Sequence, residues 1–418
     1  MPLDVFVADF PFTRLEEARQ KARRRTLKSD VYSSFIFRRK SLRGQMRVGL
    51  RGERTQLDSD LLAVEDAMET SLGASFRNAT RQSLLVSYLN QTYTLDRSKS
   101  RWQLSLPLAL HQLGLQDEAA ATRTDPTAWV IRPELEYLLR LPRERILTFS
   151  YNFNRDYDRD QLYFNGYLLR QNRQFDRTLL TLNRFTEHTL TARFQGTDQT
   201  TKVSYNSYLT VSAARADFLS TTVFDTTGRA SVLQESGNTR RRLSWQNRFS
   251  GTLFKNIQLQ LEANYRLIAQ PIDLNGRRVT AVNHFITIAP QLTYTFSTSA
   301  LSCQPGFNYY GSNLADVPVR EIHLWWKYLH RFGKKGGDLH LTFNQYRTAI
   351  GERRIDNHLL NVRYANRIGA EEWEVSLALN NLTNTGSFVA FNQGTYFEEV
   401  SYFRLRGRQV VVMVGRKF

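Results

Sequence analysis

The sequence predicts an all-β fold, namely a membrane-spanning, antiparallel, up-and-down β-barrel that is complete or partial and has roughly 16–18 strands in this chain. Three observations lead to this class. Apolar and polar residues alternate along many segments. These segments are roughly 9–13 residues long, which is the length that a tilted strand needs to cross a bilayer. Short and long links alternate between the segments of the C-terminal half, as they do in outer-membrane barrels.

The alternation is clearest in residues 256–266. Ile257, Leu259 and Leu261 fall on one face of an extended chain, and Gln258 and Gln260 fall on the other. Large polar groups on the second face suit a wet lumen better than the core of a sandwich. Residues 156–185 fit no single assignment. Comparable alternation occurs at 101–111, 127–139, 147–154, 201–212, 241–253, 283–296, 338–344, 357–365 and 373–380.

The links between the predicted strands are of two kinds. Barrels of this class have short periplasmic turns and longer outer loops, so the order of links places the C-terminus on the periplasmic side. The N-terminal half shows no such order, and its sidedness is left open. We expect tight turns at 254–256, 297–300, 333–337 and 366–370, and longer links, which are the candidate loops for ligand capture, at 267–282, 311–320, 348–356 and 382–405. Aromatic residues in or beside these loops are Tyr309, Tyr310, Phe388, Phe391 and Tyr396.

The last strand is predicted over residues 406–418 and ends on an aromatic residue. Val410, Val412, Val414 and Phe418 share one face of it, because successive side chains of a strand alternate between its two faces. We expect this face to meet lipid and the strand to close the barrel.

The composition excludes a helical membrane protein and permits a barrel. Mean hydropathy is negative, and no run approaches the roughly 18 apolar residues of a spanning helix. A barrel stays compatible with this composition because its lumen-facing half is polar. The 19 tyrosines, 26 phenylalanines and 6 tryptophans would supply aromatic girdles at the two membrane interfaces.

The net charge of +18 suggests nucleic-acid binding as one interpretation. Such proteins concentrate Lys and Arg on one face, whereas here these residues are scattered through the alternating segments, with one dense cluster at 19–28. We therefore expect no nucleic-acid partner. Residues 1–29 are predicted to be a charged lead-in, helical or disordered, and residues 30–418 the barrel domain.

Cys303 is the only cysteine, so the chain contains neither an intrachain disulfide nor a cysteine zinc site. The first ten residues lack the basic n-region and the long apolar h-region of a secretory signal. Since a barrel must be exported, we expect the chain to be a mature form or, in our preferred interpretation, the C-terminal part of a longer protein.

The histidines and acidic residues do not indicate a metal site. The seven histidines show no helical metal spacing, and His340 falls on a polar face, where we expect a solvated lumen residue. Asp156, Asp158 and Asp160 have the spacing that opens a calcium loop. The glycine and the closing glutamate that such a loop requires are absent from the following residues, so we interpret this tract as an acidic outer loop.

No motif for catalysis is present either. The run GKKGGD at 333–338 lacks the spacing of a phosphate loop and is interpreted as a basic hairpin turn. There is no nucleophile elbow of the form G-x-S-x-G. We therefore predict that the chain is not an enzyme and uses no cofactor.

A family resemblance lies in the last 46 or so residues. The element Asn381-Leu382-Thr383-Asn384 follows the penultimate strand, and Arg404, Arg406 and Arg408 precede the terminal Phe418. These features resemble the end of TonB-dependent receptors of Gram-negative bacteria, especially those of the Bacteroidota. The stretch 166–175 is similar to a mid-barrel segment of the same group. The family carries a plug domain, a TonB-contacting segment and a barrel of about 22 strands; we find neither of the first two here, and Arg416 stands where the alternation prefers an apolar residue.

The resemblance implies the outer membrane of a Gram-negative cell as the location, and uptake of a bulky nutrient such as a chelate, a glycan or a peptide as the function. The implied partners are outer-membrane lipid and lipopolysaccharide, the barrel assembly machinery, TonB through a plug segment missing from this chain, and a surface lipoprotein. Val410, Val412, Val414 and Phe418 would belong to the signal read during barrel insertion. A plugless structural or surface-anchoring barrel without transport is the alternative, and a soluble basic all-β binding protein is the third hypothesis.

Overall fold

The computed structural model describes residues 17–65, 68–71, 76–119, 121–157, 168–171, 174–177, 184–198, 202–224, 229–274, 277–315, 317–332, 337–368, 373–393 and 398–416. Within these ranges the chain forms 24 strands. No helix in the described ranges is long and apolar enough to cross a membrane.

The strands are β1 (Glu17–Arg39), β2 (Leu42–Glu65), β3 (Met68–Ser71), β4 (Asn78–Asp96), β5 (Ser100–Asp117), β6 (Thr122–Thr124), β7 (Thr127–Ile131), β8 (Glu134–Leu141), β9 (Arg145–Tyr157), β10 (Leu168–Gln171), β11 (Gln174–Arg177), β12 (Arg184–Asp198), β13 (Val203–Phe224), β14 (Arg229–Phe254), β15 (Ile257–Leu274), β16 (Arg277–Phe296), β17 (Ser299–Ser312), β18 (Val319–Arg331), β19 (Asp338–Ile350), β20 (Arg353–Ile368), β21 (Trp373–Asn380), β22 (Ser387–Gln393), β23 (Glu398–Arg404) and β24 (Gln409–Arg416).

One 22-stranded sheet contains every strand except β22 and β23, which form a separate hairpin. Its main antiparallel ladders follow the order of the chain. They join β1, β2, β4, β5, β8, β9 and β12 in turn, continue through every strand from β12 to β21, and end at β24. β7 shares the position of β8 beside β5, so the described strands occupy seventeen positions. The predicted all-β, up-and-down antiparallel architecture and its strand number are confirmed.

The strands begin and end at two edges of the sheet. Two of the four predicted tight turns are confirmed as links 255–256 and 297–298, and both lie at one edge, here called the turn edge. Residues 333–336 and 369–370 of the other two predicted turns lie outside the described residues. Links 40–41, 97–99 and 142–144 of the N-terminal half lie at the same edge, an order that the sequence did not reveal. Because both β1 and β24 run toward the turn edge, they point in the same direction, and no ladder joins them within the described ranges.

The other edge, here called the loop edge, corrects two predicted loops. The predicted loop at 267–282 is wrong, because these residues belong to β15 and β16, which pair with each other along this stretch except at 275–276. The predicted loop at 348–356 is wrong, because only residues 351–352 separate β19 from β20. In this tight turn Gly351 has a φ of 55°. Link 311–320 is confirmed in its centre, at 313–318, and the predicted link 382–405 contains the β22–β23 hairpin.

The aromatic residues predicted to take part in ligand capture lie in strands wherever the structure describes them. Tyr309 and Tyr310 lie within β17, and Phe388 and Phe391 lie within β22. Tyr396 is outside the described residues. The stretch 156–185, which fitted no assignment, contains the end of β9, the β10–β11 hairpin and the start of β12; β11 also runs parallel to the first residues of β14.

The expected helical or disordered lead-in is wrong for residues 17–29, which form the first half of β1. Charged residues of β1 face acidic partners on β2, with Lys21 opposite Asp60 and Arg23 opposite Asp58. The ammonium of Lys28 lies 3.1 Å from the Glu53 carboxylate. Because the backbone ladder is indifferent to side-chain polarity, these pairs allow a strongly basic segment to stay in the sheet. Residues 1–16 lie outside the described residues.

A small apolar core lies near the loop edge, on β5, β7 and β9. It consists of Leu113, Leu115, Ala128, Val130 and Tyr157, and all five side chains are buried. Most other large apolar side chains of the described residues are half-buried or exposed. The sheet is therefore held together mainly by its continuous ladders and by pairs of side chains on neighbouring strands.

Candidate functional site

The two faces of the sheet differ in chemistry along its whole width. Directly opposed residues of an antiparallel pair share a face, so the registers define each face from β1 to β24. One row runs through Tyr328, Leu341, Val362, Leu379 and Val410. We call this side the apolar face. Other members, all exposed, are Val31, Leu50, Leu85, Leu108, Phe149, Leu190, Val211, Leu261, Ile288, Ile322 and Leu377.

The opposite side, here called the polar face, carries mostly hydrophilic groups. One row across β9, β12, β13 and β14 runs from Ile146 through Gln195 and Asn206 to Arg248. His340 lies on this face, opposite Arg363, as expected for it. No group of three or more His, Cys, Asp or Glu side chains in the described part of the chain is placed to hold a metal ion.

Strand β24, the predicted closing strand of the barrel, contributes three of the four predicted residues to the apolar face. Val410, Val412 and Val414 are 70%, 64% and 62% exposed and lie opposite Leu379, Leu377 and Val375 of β21. Phe418, the fourth predicted residue, lies outside the described residues. The predicted alternation of β24 is thus present, and its role in barrel insertion stays a prediction.

Aromatic side chains of the apolar face gather at two levels. Near the turn edge, the ring centroids of Trp102 and Tyr137 are 4.3 Å apart, and those of Tyr294 and Phe296 are 4.8 Å apart. A second group lies nearer the loop edge and consists of Trp129, Tyr151, Trp245 and Tyr265. The side chains of the first three are at least 41% exposed.

A charged network occupies the polar face of β1, β2 and β4. Arg51 Nη2 donates to Asp30 Oδ2 at 2.9 Å, and Tyr88 Oη donates to Asp30 Oδ1 at 2.9 Å. The guanidinium of Arg47 lies over the Tyr32 ring, 4.5 Å from its centroid. The Tyr88 ring fits only because residue 49 is glycine, where a Cβ would lie 2.5 Å from Tyr88 Cζ and Oη.

A cavity of about 610 Å³ opens on the polar face near the turn edge, between β9 and β15. We call it the turn-edge cavity. Its lining mixes polar and apolar surface, and its polar side chains include Arg193, Gln195, Asn206, Arg248 and Gln260. Arg193 Nε donates to Asn206 Oδ1 at 3.3 Å. A second cavity of about 600 Å³ lies near the loop edge of β1, β2, β4 and β5 and mixes leucines with polar groups.

Polar groups are also buried around the small core near the loop edge. His111 Nδ1 and Tyr157 Oη are 2.6 Å apart, and both side chains are almost fully buried. Asp156, the first residue of the predicted calcium-like tract, pairs with Arg132. Asp158 and Asp160 lie outside the described residues, as do residues 333–336 of the predicted basic turn. Within the described part of this tract, Asp156 therefore belongs to an ion pair.

The element Asn381-Leu382-Thr383-Asn384 forms a defined turn at the base of the β22–β23 hairpin. Asn381 and Asn384 have φ values of 54° and 58°, which asparagine tolerates better than most residues. Asn381 Oδ1 accepts from the Thr385 backbone N–H at 2.9 Å, and Asn381 Nδ2 donates to the carbonyl oxygens of Thr385 and Arg406 at 2.8 and 2.9 Å. The element therefore fixes both ends of the excursion between β21 and β24.

No protein-family model matches the chain, and no curated protein matches it. Among solved structures, the ferric enterobactin receptor PfeA of Pseudomonas aeruginosa is 8% identical over 96% of this chain and 81% of that chain, with a TM-score of 0.33. BauA, the ferric preacinetobactin receptor of Acinetobacter baumannii, is 10% identical over 93% and 79%, with a TM-score of 0.29. Because both TM-scores are below 0.5, the functional proposal depends on this chain's own residues.

Proposed function

We propose that this chain is the β-barrel portion of an outer-membrane receptor resembling TonB-dependent receptors, which takes up a bulky nutrient such as a chelate, a glycan or a peptide. The apolar face would meet the lipid of a Gram-negative outer membrane. The polar face would line the lumen.

The observation that carries this proposal is the exposed apolar face. A soluble protein rarely exposes contiguous apolar patches larger than a few hundred Å², yet here apolar rows continue from strand to strand across the sheet. Side chains such as Val31 (74% exposed) and Val412 (64%) would each cost free energy in water, at roughly 25 cal/mol per Å². Acyl chains remove that cost, so lipid is the solvent that this face fits.

The spacing of the aromatic levels suits a bilayer. Trp102 belongs to the aromatic level near the turn edge. Leu110, on the same strand as Trp102, lies directly opposite Trp129, which belongs to the level nearer the loop edge. The step of eight residues from Trp102 to Leu110 corresponds to about 27 Å along the strand. With a strand tilt of about 40°, the height is about 20 Å, which is near the apolar band of about 25 Å between the aromatic girdles of outer-membrane barrels.

The long strands and the β22–β23 hairpin support a receptor rather than a bare pore. β14 has 26 residues and β2 has 24, whereas about 9–11 residues suffice to cross a bilayer. The excess projects at the loop edge, where link 313–318 and the β22–β23 hairpin also lie. In the proposed orientation these parts face outward and capture the ligand, and the turn edge faces the periplasm.

The partners proposed for this chain follow from that orientation. Outer-membrane lipid and lipopolysaccharide contact the apolar face, and the assembly machinery reads the closing strand with Val410, Val412, Val414 and Phe418. Energy would come from TonB through a plug segment, and a surface lipoprotein would assist capture at the loop edge.

The proposal is tested by expressing the chain with an export signal in a Gram-negative host and following its membrane fraction and gel mobility. We expect it in the outer membrane, with a band that changes mobility on heating, as folded barrels do. A monodisperse protein without detergent would instead support a soluble binding protein. Uptake is tested with the full gene product, including any plug domain that it encodes; insertion without uptake of any chelate, glycan or peptide would support the anchoring alternative.

A further inference from the structure

The turn-edge cavity is rich in hydrogen-bond donors. Arg248 lies directly opposite Asn206, which lies directly opposite Gln195, so three donor side chains stand in one row of the polar face. Arg193 lies two residues before Gln195 on β12. Its side chain reaches this row, because its Nε donates to Asn206 Oδ1. That contact occupies the acceptor of Asn206 and leaves the Asn206 amide N–H groups available to another group.

The two guanidiniums of the cavity form no ion pair with a carboxylate of the described residues. Among the described residues, no carboxylate lies within 4.0 Å of the side chain of Arg193 or Arg248. Glu262 is the register partner of Arg248 on its other side, but its carboxylate accepts from Asn264 Nδ2 at 2.9 Å. Glu144 also lines the cavity. Neither carboxylate forms an ion pair with Arg193 or Arg248, so both guanidiniums can bind an anion.

The donors converge from more than one strand. Ser204 and Ser250 line the cavity with their hydroxyl groups 2.6 Å apart, and Gln260 adds an amide from β15. A carboxylate accepts mainly in its own plane, whereas a tetrahedral oxyanion accepts from several directions. Arginine forks on two sides of such an anion can each form two hydrogen bonds with it. The volume of about 610 Å³ holds the anion together with water.

We propose that the turn-edge cavity is a binding site for a tetrahedral oxyanion of the phosphate class, held by Arg193 and Arg248 and oriented by Asn206. The site is independent of the proposed transport function, because it lies wholly on described strands and needs no plug. A chain that inserts into membranes but moves no nutrient would still bind phosphate.

The test is calorimetric titration of the folded protein, in non-ionic detergent and at constant ionic strength, with inorganic phosphate. We expect saturable binding to the unmodified chain. Arg193→Gln with Arg248→Gln should weaken it at least about a hundredfold, because both charge-assisted contacts to the anion are lost. The control is Arg363→Gln on the same face, where the guanidinium is 3.7 Å from the Glu374 carboxylate; it should change binding less than twofold.

Four results would overturn the proposal. They are the absence of saturable binding at millimolar phosphate, equal binding by the double variant, an equal loss in Arg363→Gln, and equally tight binding of acetate or chloride. If the double variant does not show the gel mobility of the folded protein, the single Arg248→Lys variant decides. It keeps the charge but loses the fork, so phosphate affinity should fall about tenfold, and unchanged affinity would refute the site.

Discussion

The side-chain amide of Asn381 donates to the carbonyl oxygen of Arg406 across 25 positions of sequence, at 2.9 Å. This bond and its companion to Thr385 join the two ends of the β22–β23 excursion. Asn381 is only 6% exposed, so the bonds are shielded from water. A buried donor pair of this kind is costly to remove.

We predict that Asn381→Asp loosens the excursion while the sheet stays intact. Aspartate keeps the acceptor for the Thr385 N–H and tolerates a positive φ, but it replaces the two donor contacts with facing oxygen atoms. Limited proteolysis should cut within 385–406 at least about tenfold faster, which corresponds to about 1.4 kcal/mol of local stability. Unchanged cleavage would show that the hairpin is held in place by other contacts.

Gly49 is predicted to be essential for the network on β1, β2 and β4. In Gly49→Ala the new methyl group displaces the Tyr88 ring and breaks its bond to Asp30, so we expect a loss of about 1–3 kcal/mol. The measurement is the denaturant midpoint of the detergent-solubilised protein. Gly386→Ala is the matched control, because its Cβ would meet nothing within 4 Å. Equal losses in both variants would contradict the prediction.

Acid should release β3 from the basic part of β1. The hydrogen bond from Lys21, assisted by Arg19, holds the pKa of Glu69 below its ordinary value. A carboxyl with a lowered folded pKa stabilises the structure above its unfolded pKa of about 4.3 and loses this contribution as the pH falls through the folded value. Hydrogen exchange of 68–71, corrected for the intrinsic rate, should therefore stay constant from pH 7 to 5 and rise below about pH 4. Glu69→Gln should abolish this dependence; the same rise in that variant would exclude the carboxylate as its cause.

A charge on the apolar face of the closing strand should block membrane insertion. Val412 belongs to this face, and its neighbour Val411 belongs to the polar face. An arginine or lysine on the lipid face costs about 2–4 kcal/mol near the bilayer midplane, and an aspartate costs less but is still unfavourable there. We therefore expect Val412→Asp to reduce the inserted fraction severalfold and Val411→Asp to leave it near the unmodified level, as measured by heat-modifiable gel mobility. Equal insertion of the two variants would contradict the orientation of β24.

Much of this architecture could be predicted from alternation alone. The faces of Val410, Val412 and Val414 and the turns at 255–256 and 297–298 follow from local pattern, because a strand with two different solvents must alternate strictly. The lengths of the strands could not be predicted in the same way. β15 and β16 continue through a predicted loop, where Asp273 lies opposite Arg278, and such polar pairing leaves no periodic apolar signal.

The candidate sites depend on register, which the sequence does not display. Asp30, Arg51 and Tyr88 meet because β1, β2 and β4 align in one particular offset. Arg193 and Arg248 share a cavity for the same reason, although 55 positions separate them in the sequence. No local motif marks either group; the abundance of Arg among alternating polar residues was the only available signal.

The central claim is that the apolar face meets lipid, and an accessibility scan of β24 tests it most directly. Single cysteines at 410, 411, 412, 413 and 414, in a Cys303→Ser background, would carry an environment-sensitive fluorophore in bilayers with brominated acyl chains. We expect strong quenching at 410, 412 and 414 and weak quenching at 411 and 413. Uniform quenching along the strand, or the opposite alternation, would contradict it.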